Sequence, residues 1–202
     1  MMDMNFETSC GWPANRIAGV DEAGRGAWCG PVVAAAVILP IDFDASALRD
    51  SKKLSATKRQ ALRLEIESAA ITGVGIGVGI ASVDEIDQLN ILQASLLAMR
   101  RAIDVISPDM ALVDGNQDPK LTIPCELIIS GDDKVASIAA ASIIAKQTRD
   151  DIMCDLGREF PAYSWHSNMG YGTKAHREGL KAVGVCEHHR KTFKPIRAIL
   201  RP

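Results

Sequence analysis

Arg16-Ile-Ala-Gly-Val-Asp-Glu-Ala-Gly-Arg-Gly-Ala-Trp-Cys-Gly-Pro-Val-Val-Ala-Ala-Ala-Val-Ile-Leu39 reads as a strand, an acidic glycine-rich turn and a second strand. Arg16 to Val20 enters the cluster Asp21-Glu22-Ala23-Gly24-Arg25-Gly26, and Gly30-Pro31 opens the run Val32 to Leu39. The branched residues of that run suit a buried strand. It is the longest apolar stretch of the chain, bounded by Pro31 and Pro40, and is well short of the roughly 18 residues a membrane span requires.

Working outward, Ile71 to Ile80 alternates with period two, Val74, Ile76 and Val78 being separated by Gly75 and Gly77. A glycine face predicts close approach by whatever packs on it. Met110 to Val113 and Cys125 to Ile129 read as strands ending at Asp114-Gly115-Asn116 and Ser130-Gly131-Asp132. Helical patterns fill the intervals. Ser55 to Ala70 is capped by Ser55 or Thr57. Ser82 to Ile103 reads as one long helix, with Asp84 and Glu85 at its positive start and Arg100 and Arg101 near its negative end. Another helix runs to about Leu156 through Ala139-Ala-Ala-Ser142, and a loop from Tyr163 to Gly172 leads to a short helix from Thr173. Strands followed by helices, then a helical end, indicate an α/β domain over 1–158 and a mostly helical C-terminal lobe over 159–202.

The 202 residues are 47% hydrophobic and 24% charged, enough apolar material for a core and against disorder as the main state. Met1 to Cys10 carries Asp3 and Glu7 and no basic apolar leader, so no secretory signal is expected. Five cysteines without a Cys-x-x-Cys pair point to reduced thiols and a cytoplasmic setting, away from a disulfide framework or a structural zinc. The net charge of −2 hides an asymmetry: from Tyr163 onward there are eight Lys or Arg against two acids. A basic end on an acidic body suggests a held polyanion, although an ordinary solvated tail has the same composition.

Asp21-Glu22, Asp114 and Asp132 lie at the ends of three strands, where ligands of open α/β sheets gather. Four carboxylates in one site would need a counter-cation, and oxygen-only ligands favour Mg²⁺ or Mn²⁺. An open cluster of this kind suits two-metal phosphodiester hydrolysis. Neighbours on a regular strand point to opposite faces, so Asp21 and Glu22 share a face only if the strand breaks there. Acids at strand ends are also common turn formers. Gly24-Arg25-Gly26 lacks the third glycine and the following helix of a dinucleotide fingerprint. It does allow the backbone to press against a sugar or phosphate. Lys146 and Asp150 are one helical turn apart, as an ion pair or with Asp150 supporting the metal ligands. His166, His176, His188 and His189 lack zinc spacing; the three tryptophans read as packing residues before base platforms, with Trp165 near Tyr171 the candidate for the second role.

At these residues the chain resembles the bacterial ribonuclease HII family. Val20 to Gly26 with Gly30-Pro-Val is similar to that family's first signature. Asp50-Ser-Lys-Lys-Leu54, Val113 to Asn116, Gly131-Asp132 with Ala139 to Lys146, Thr148-Arg-Asp150, Asn168 to Thr173, His176, and His189-Arg190 with Phe193 follow in family order. The resemblance covers 16–197 and implies a ribonuclease H-like mixed sheet flanked by helices. It implies metal-dependent cleavage of RNA in RNA/DNA hybrids and incision 5′ to single ribonucleotides in duplex DNA, leaving 3′-hydroxyl and 5′-phosphate ends. Asp21, Glu22, Asp114 and Asp132 match the metal-binding acids, for two Mg²⁺ or Mn²⁺ ions. Gly24, Arg25 and Gly26 match the loop that senses the 2′-hydroxyl, and Tyr171 the aromatic that stacks on the adjoining sugar. Lys52 and Lys53 are expected on the phosphate backbone. Asp133 beside Asp132 leaves open which one takes a metal. Ala27-Trp28-Cys29 and Met169 depart from the family pattern. A monomer is expected, and docking to a replication clamp is left open. Another metal-dependent nuclease of this fold, or a binding-only hybrid-recognition module, remains the alternative.

Overall fold

The computed structural model describes residues 2–48, 55–70 and 75–201. Lys52 and Lys53, and the first part of the Ile71 to Ile80 alternation, lie outside the described residues. After a short helix α1 (Asn5–Ser9) come β1 (Ile17–Ala23), β2 (Val32–Val37), α2 (Ala56–Ala70) and β3 (Ile76–Ala81). Then follow α3 (Val83–Leu89), α4 (Ile91–Ile106), β4 (Met110–Asp114) and β5 (Cys125–Ile128). The chain ends with α5 (Ala136–Glu159), α6 (Trp165–Asn168), α7 (Lys174–Val183) and α8 (Lys194–Leu200).

The strands form one mixed sheet in the order β3-β2-β1-β4-β5. β1 pairs antiparallel with β2 and parallel with β4, β2 pairs antiparallel with β3, and β4 pairs parallel with β5. α4 covers one face, burying the helically spaced Ala94, Ala98, Met99, Ala102 and Ile106 against Ala18, Val20, Ala34 and Val113. α5 covers the other, setting Ala136, Ala139, Ala140 and Ile143 against Ala35 and Val37. Burying each branched side chain here contributes roughly 1.5–3 kcal/mol.

The glycine face of β3 meets the expected close neighbour. A Cβ on Gly77 would stand 2.0 Å from the Ala102 carbonyl oxygen, and one on Gly79 2.0 Å from that of Ala98. Backbone-to-backbone packing of α4 on β3 therefore requires glycine there.

Two expectations about helices are corrected. The long helix from Ser82 is two helices, because Asn90 takes φ 73° and turns the chain between α3 and α4. Its side-chain oxygen accepts from the Leu92 and Gln93 amides, so one residue ends α3 and caps α4. The Tyr163 to Gly172 segment is not all loop: it follows directly on a 3-10 turn (Pro161–Tyr163) and contains α6, and α8 is a further helix beyond the one expected from Thr173. On α2, Ser55 is the cap, its hydroxyl accepting from the Lys58 amide at 3.3 Å.

α5 has 24 residues, about 36 Å of helix, and carries the sheet's support into the C-terminal segment. There Met153 joins Cys29, Tyr163, Trp165, Leu180 and Ile196 in a smaller, separate core. Trp165 is fully buried in it, which rules it out as a base platform. Met169, Trp28 and Cys29 pack in or against the same core, so the departures from the family pattern are absorbed by packing.

Candidate active site

β1 does not break at the acids. Its pairing with β2 continues through Asp21↔Ala35 and Glu22↔Ala34 to Ala23↔Val33. Asp21 consequently lies on the α5 face with Gly19, and Glu22 on the α4 face with Val20. Both still line one cavity of about 430 Å³, because it sits over the end of the sheet and takes in both faces. β4 pairs with β1 up to Val20↔Val113, which brings Asp114 beside Asp21 at the same sheet edge. Glu22 and Asp114 also share a second cavity on the α4 side with Leu92 and Ser95. No strand break is needed for both acids to reach one cavity: the sheet's end does what a kink would do.

The fourth acid is placed differently. Asp132 is buried, but it does not line the cavity that holds the other three. Its turn is tied to the site by the Gly131 amide, which donates to Asp114 Oδ1 at 2.7 Å. Asp133 is exposed. Asp132→Asn is therefore expected to remove activity and Asp133→Asn to leave it within about twofold, as at ordinary surface positions. Steady-state cleavage by both variants checks this, and the reverse result moves the assignment by one residue.

Burial, then the charges of Glu22 and Asp114, raise the Asp21 carboxyl well above the usual carboxylate range, against a hydrogen bond from Ser142. Burial raises Glu22 as well, opposed by Arg25, whose Nη1 donates to Glu22 Oε1 at 2.9 Å. Acids that repel one another in a partly dry site are what a hard cation neutralises. The carboxylate oxygens of Asp21, Glu22 and Asp114 are the donor type such an ion takes, and among the described residues no thiol or imidazole lines the cavity. Among the described residues, no three His, Cys, Asp or Glu side chains are grouped closely enough to hold one metal ion by themselves. Each ion would accordingly be held by one or two carboxylates and completed by water and phosphate oxygens, the habit of Mg²⁺.

The cavity lining also includes cations, of which Arg59 and Arg149 carry no site role in the sequence pattern. Ser142, Lys146 and Arg149 line the cavity from one face of α5, and Arg59 lines it from α2. Their spacing of four and three along a helix was the signal available in the sequence. Lys146 is ion-paired with Asp150 at 2.6 Å, so the pair is present and Asp150 reaches the cavity through that lysine.

Gly24, Arg25, Gly26 and Tyr171 complete the lining. Gly24 has φ +97°, and a Cβ there would lie 1.9 Å from Arg149 Nε, so its side of the turn is filled by the arginine. Gly26 is open by comparison: a Cβ would meet only the Tyr171 ring, at 3.7 Å. Tyr171 is 41% exposed, with the Arg149 guanidinium 5.8 Å from its ring centre.

Two buried arginines hold this turn. Arg149 donates to the carbonyls of Cys29, Pro31 and Met169 at 2.9–3.1 Å. Arg190 donates to those of Arg25, Ala27, Gly30 and Pro31 at 2.8–3.1 Å. Burial, then the neighbouring Arg149, lowers Arg190 to about 9, which leaves it charged at neutral pH. One of the basic residues of the C-terminal segment is therefore structural and unavailable to a polyanion.

A family model for Ribonuclease HII matches residues 18–196. The chain belongs to the ribonuclease HII family. Ribonuclease HII of Magnetococcus marinus is 52% identical over 189 residues, 91% of this chain and 87% of that protein. That of Porphyromonas gingivalis is 50% identical over 190 residues, 93% of each. Among solved structures, the PCNA:RNase HII complex from Archaeoglobus fulgidus superposes with a TM-score of 0.74 at 25% identity, covering 89% of this chain and 95% of that one. The protein is a ribonuclease H hydrolase with the ribonuclease HII fold. Among the described residues, no helix is long and apolar enough to cross a membrane.

Proposed function

We propose that this ribonuclease HII cleaves RNA in RNA/DNA hybrids and incises 5′ to single ribonucleotides in duplex DNA, leaving 3′-hydroxyl and 5′-phosphate ends. The observation that carries the reading is one cavity whose lining includes Asp21, Glu22 and Asp114 together with Gly24, Arg25, Gly26 and Tyr171. Acids suited to metals and a surface suited to a sugar edge share that cavity. Two Mg²⁺ or Mn²⁺ ions, when bound, supply the Lewis acidity that activates water and stabilises the leaving oxygen. Asp21 and Asp114 would hold cations from the α5 face and Glu22 from the α4 face, with Asp132 as the fourth acid on the turn tied to Asp114. Lys146 and Arg59 draw the phosphate against those acids. The backbone at Gly26 approaches the 2′-hydroxyl, the group that distinguishes RNA from DNA locally. The Tyr171 ring lies on the next sugar, where a deoxyribose fits and an added hydroxyl crowds it.

Residues 159–202 act as the substrate-binding lobe in this reading, with 1–158 as the catalytic domain and the protein working as a monomer. A cytoplasmic setting is proposed from five free thiols. The Archaeoglobus relative was solved with PCNA, and a replication clamp is proposed as a partner on that ground.

The test is gel cleavage of duplexes holding zero, one or four ribonucleotides, with Mg²⁺ or Mn²⁺. Cleavage at one and at four, 5′ to the lone ribonucleotide, is expected. Binding without cleavage would leave a recognition module, and cleavage of plain duplex would leave an unselective nuclease. Tyr171→Ala should depress cleavage at the lone ribonucleotide by about tenfold or more, some 1.4 kcal/mol of barrier. Tyr171→Phe should be mild, since stacking uses the ring. Equal losses on one and on four ribonucleotides would mean that Tyr171 does not read the junction.

A further inference from the structure

The proposed chemistry uses no histidine, yet two imidazoles are fully buried beside Tyr171. His176, at the start of α7, and His189, after it, face each other Nε2 to Nε2 at 3.1 Å. Their proton positions follow from groups whose roles are not in doubt. The Cys186 amide donates to His189 Nδ1 at 3.1 Å, so that nitrogen is an acceptor and the ring's proton sits on Nε2. This Nε2–H donates to His176 Nε2, which also accepts from the Trp165 indole N–H at 3.1 Å. The remaining proton of His176 is then on Nδ1, 3.0 Å from the carbonyl oxygen of Tyr171. One backbone amide and one indole thus settle the tautomer of both rings. A second proton on either ring would set donor against donor.

We propose that His176 is a positioning residue: its Nδ1–H holds the Tyr171 carbonyl and so fixes where the Tyr171 ring stands over the cavity, while Trp165 and His189 hold the imidazole in the tautomer this requires. The link to catalysis rests on the reading of Tyr171 given above. The Tyr171 carbonyl also accepts from the Thr173 amide at 2.8 Å, and the Tyr171 amide donates to the Asn168 carbonyl at 2.9 Å. Remove the imidazole donor and the carbonyl keeps only a local turn bond, next to Gly170 with its φ of +81°. The surroundings favour uncharged rings. Cys29 pairs with His189 across an isolated bridge, the Tyr163 ring lies 4.8 Å from it, and Cys186 Sγ is 3.3 Å from its Nδ1. His188 adds a like charge, and Arg177 lies over Trp28, the ring next to His176. Burial, then His176 itself, lowers His189 to about 4, and burial lowers His176 too.

The two ring nitrogens of His176 can be separated by substitution. In His176→Asn the amide nitrogen stands near the Nδ1 position and retains a donor for Tyr171. In His176→Gln the amide reaches the Nε2 position and serves Trp165 and His189 while abandoning Tyr171. Both are polar and of similar size, and far-UV circular dichroism checks that both fold. The chain has two tyrosines, so 3-fluorotyrosine labelling gives two ¹⁹F resonances, assigned with Tyr171→Phe. The Tyr171 resonance is expected to stay near its wild-type position in His176→Asn and to shift or broaden in His176→Gln. Cleavage at a lone ribonucleotide is expected to fall by roughly tenfold in His176→Gln and by less than about threefold in His176→Asn. In a Tyr171→Ala background the Gln substitution should then add nothing, as for two residues acting through one group. An unmoved Tyr171 resonance in His176→Gln, or identical behaviour of the two variants, overturns the proposal. A resonance that moves without a change in cleavage keeps the His176–Tyr171 link and instead removes Tyr171 from substrate reading.

Discussion

Asp114→Asn is expected to lower cleavage of an RNA/DNA hybrid by more than a hundredfold, about 2.7 kcal/mol of barrier, while hybrid affinity changes by less than about threefold. Asp114 ends β4 beside Asp21 and spends Oδ1 on the Gly131 amide. Its other oxygen is left for a cation. Asparagine keeps the volume and can still accept from Gly131, so the turn that carries Asp132 should be undisturbed. What disappears is one negative charge among three carboxylates that repel one another. Single-turnover cleavage at saturating Mg²⁺ or Mn²⁺, with hybrid binding measured in parallel, decides the matter. Retention of more than about a tenth of wild-type activity would remove Asp114 from the ligand set. Loss of binding in step with cleavage would make it a substrate contact instead.

Arg190→Met should destabilise the protein by about 3 kcal/mol, because carbonyl groups buried without partners recover little from water. For a chain of this size that is roughly a 10 °C fall in Tm. The four carbonyls that Arg190 serves belong to the turn between β1 and β2, next to Asp21 and Glu22. The same variant should therefore lose cleavage at temperatures where it is still folded. Arg190→Lys should recover less than half of the stability, since one ammonium cannot reproduce a planar fork reaching four acceptors. Urea melts of the three proteins measure this. A loss below about 1 kcal/mol for Arg190→Met would mean that the carbonyls find other donors and that Arg190 does not hold the turn.

The local patterns of the chain determined a good deal on their own. Period two in β3 and the apolar run of β2 marked strands, and the glycines of β3 announced α4, because a missing Cβ matters only where backbones touch. Acids at strand ends pointed to one region of an α/β fold, and the structure brings Asp21, Glu22 and Asp114, but not Asp132, to one cavity there. The order of the motifs then identified the family. What the sequence did not contain was orientation and burial. Asp21 and Glu22 lie on opposite faces of an unbroken strand, and only the finite end of the sheet lets one cavity reach both. Asp132 and Asp133 are equivalent as letters, and a single turn buries one and exposes the other. Asn90 divides a continuous helical pattern, because its own side chain can cap the helix that follows. Arg190 counts as surface charge in any composition, yet its guanidinium is buried against the Arg25 carbonyl, 165 positions away. Whether a charged or titratable group is solvated, paired or enclosed depends on partners distant in the chain. The tertiary structure alone supplied them: carbonyl oxygens for Arg149 and Arg190, and for His176 a second histidine, an indole and the backbone of Tyr171.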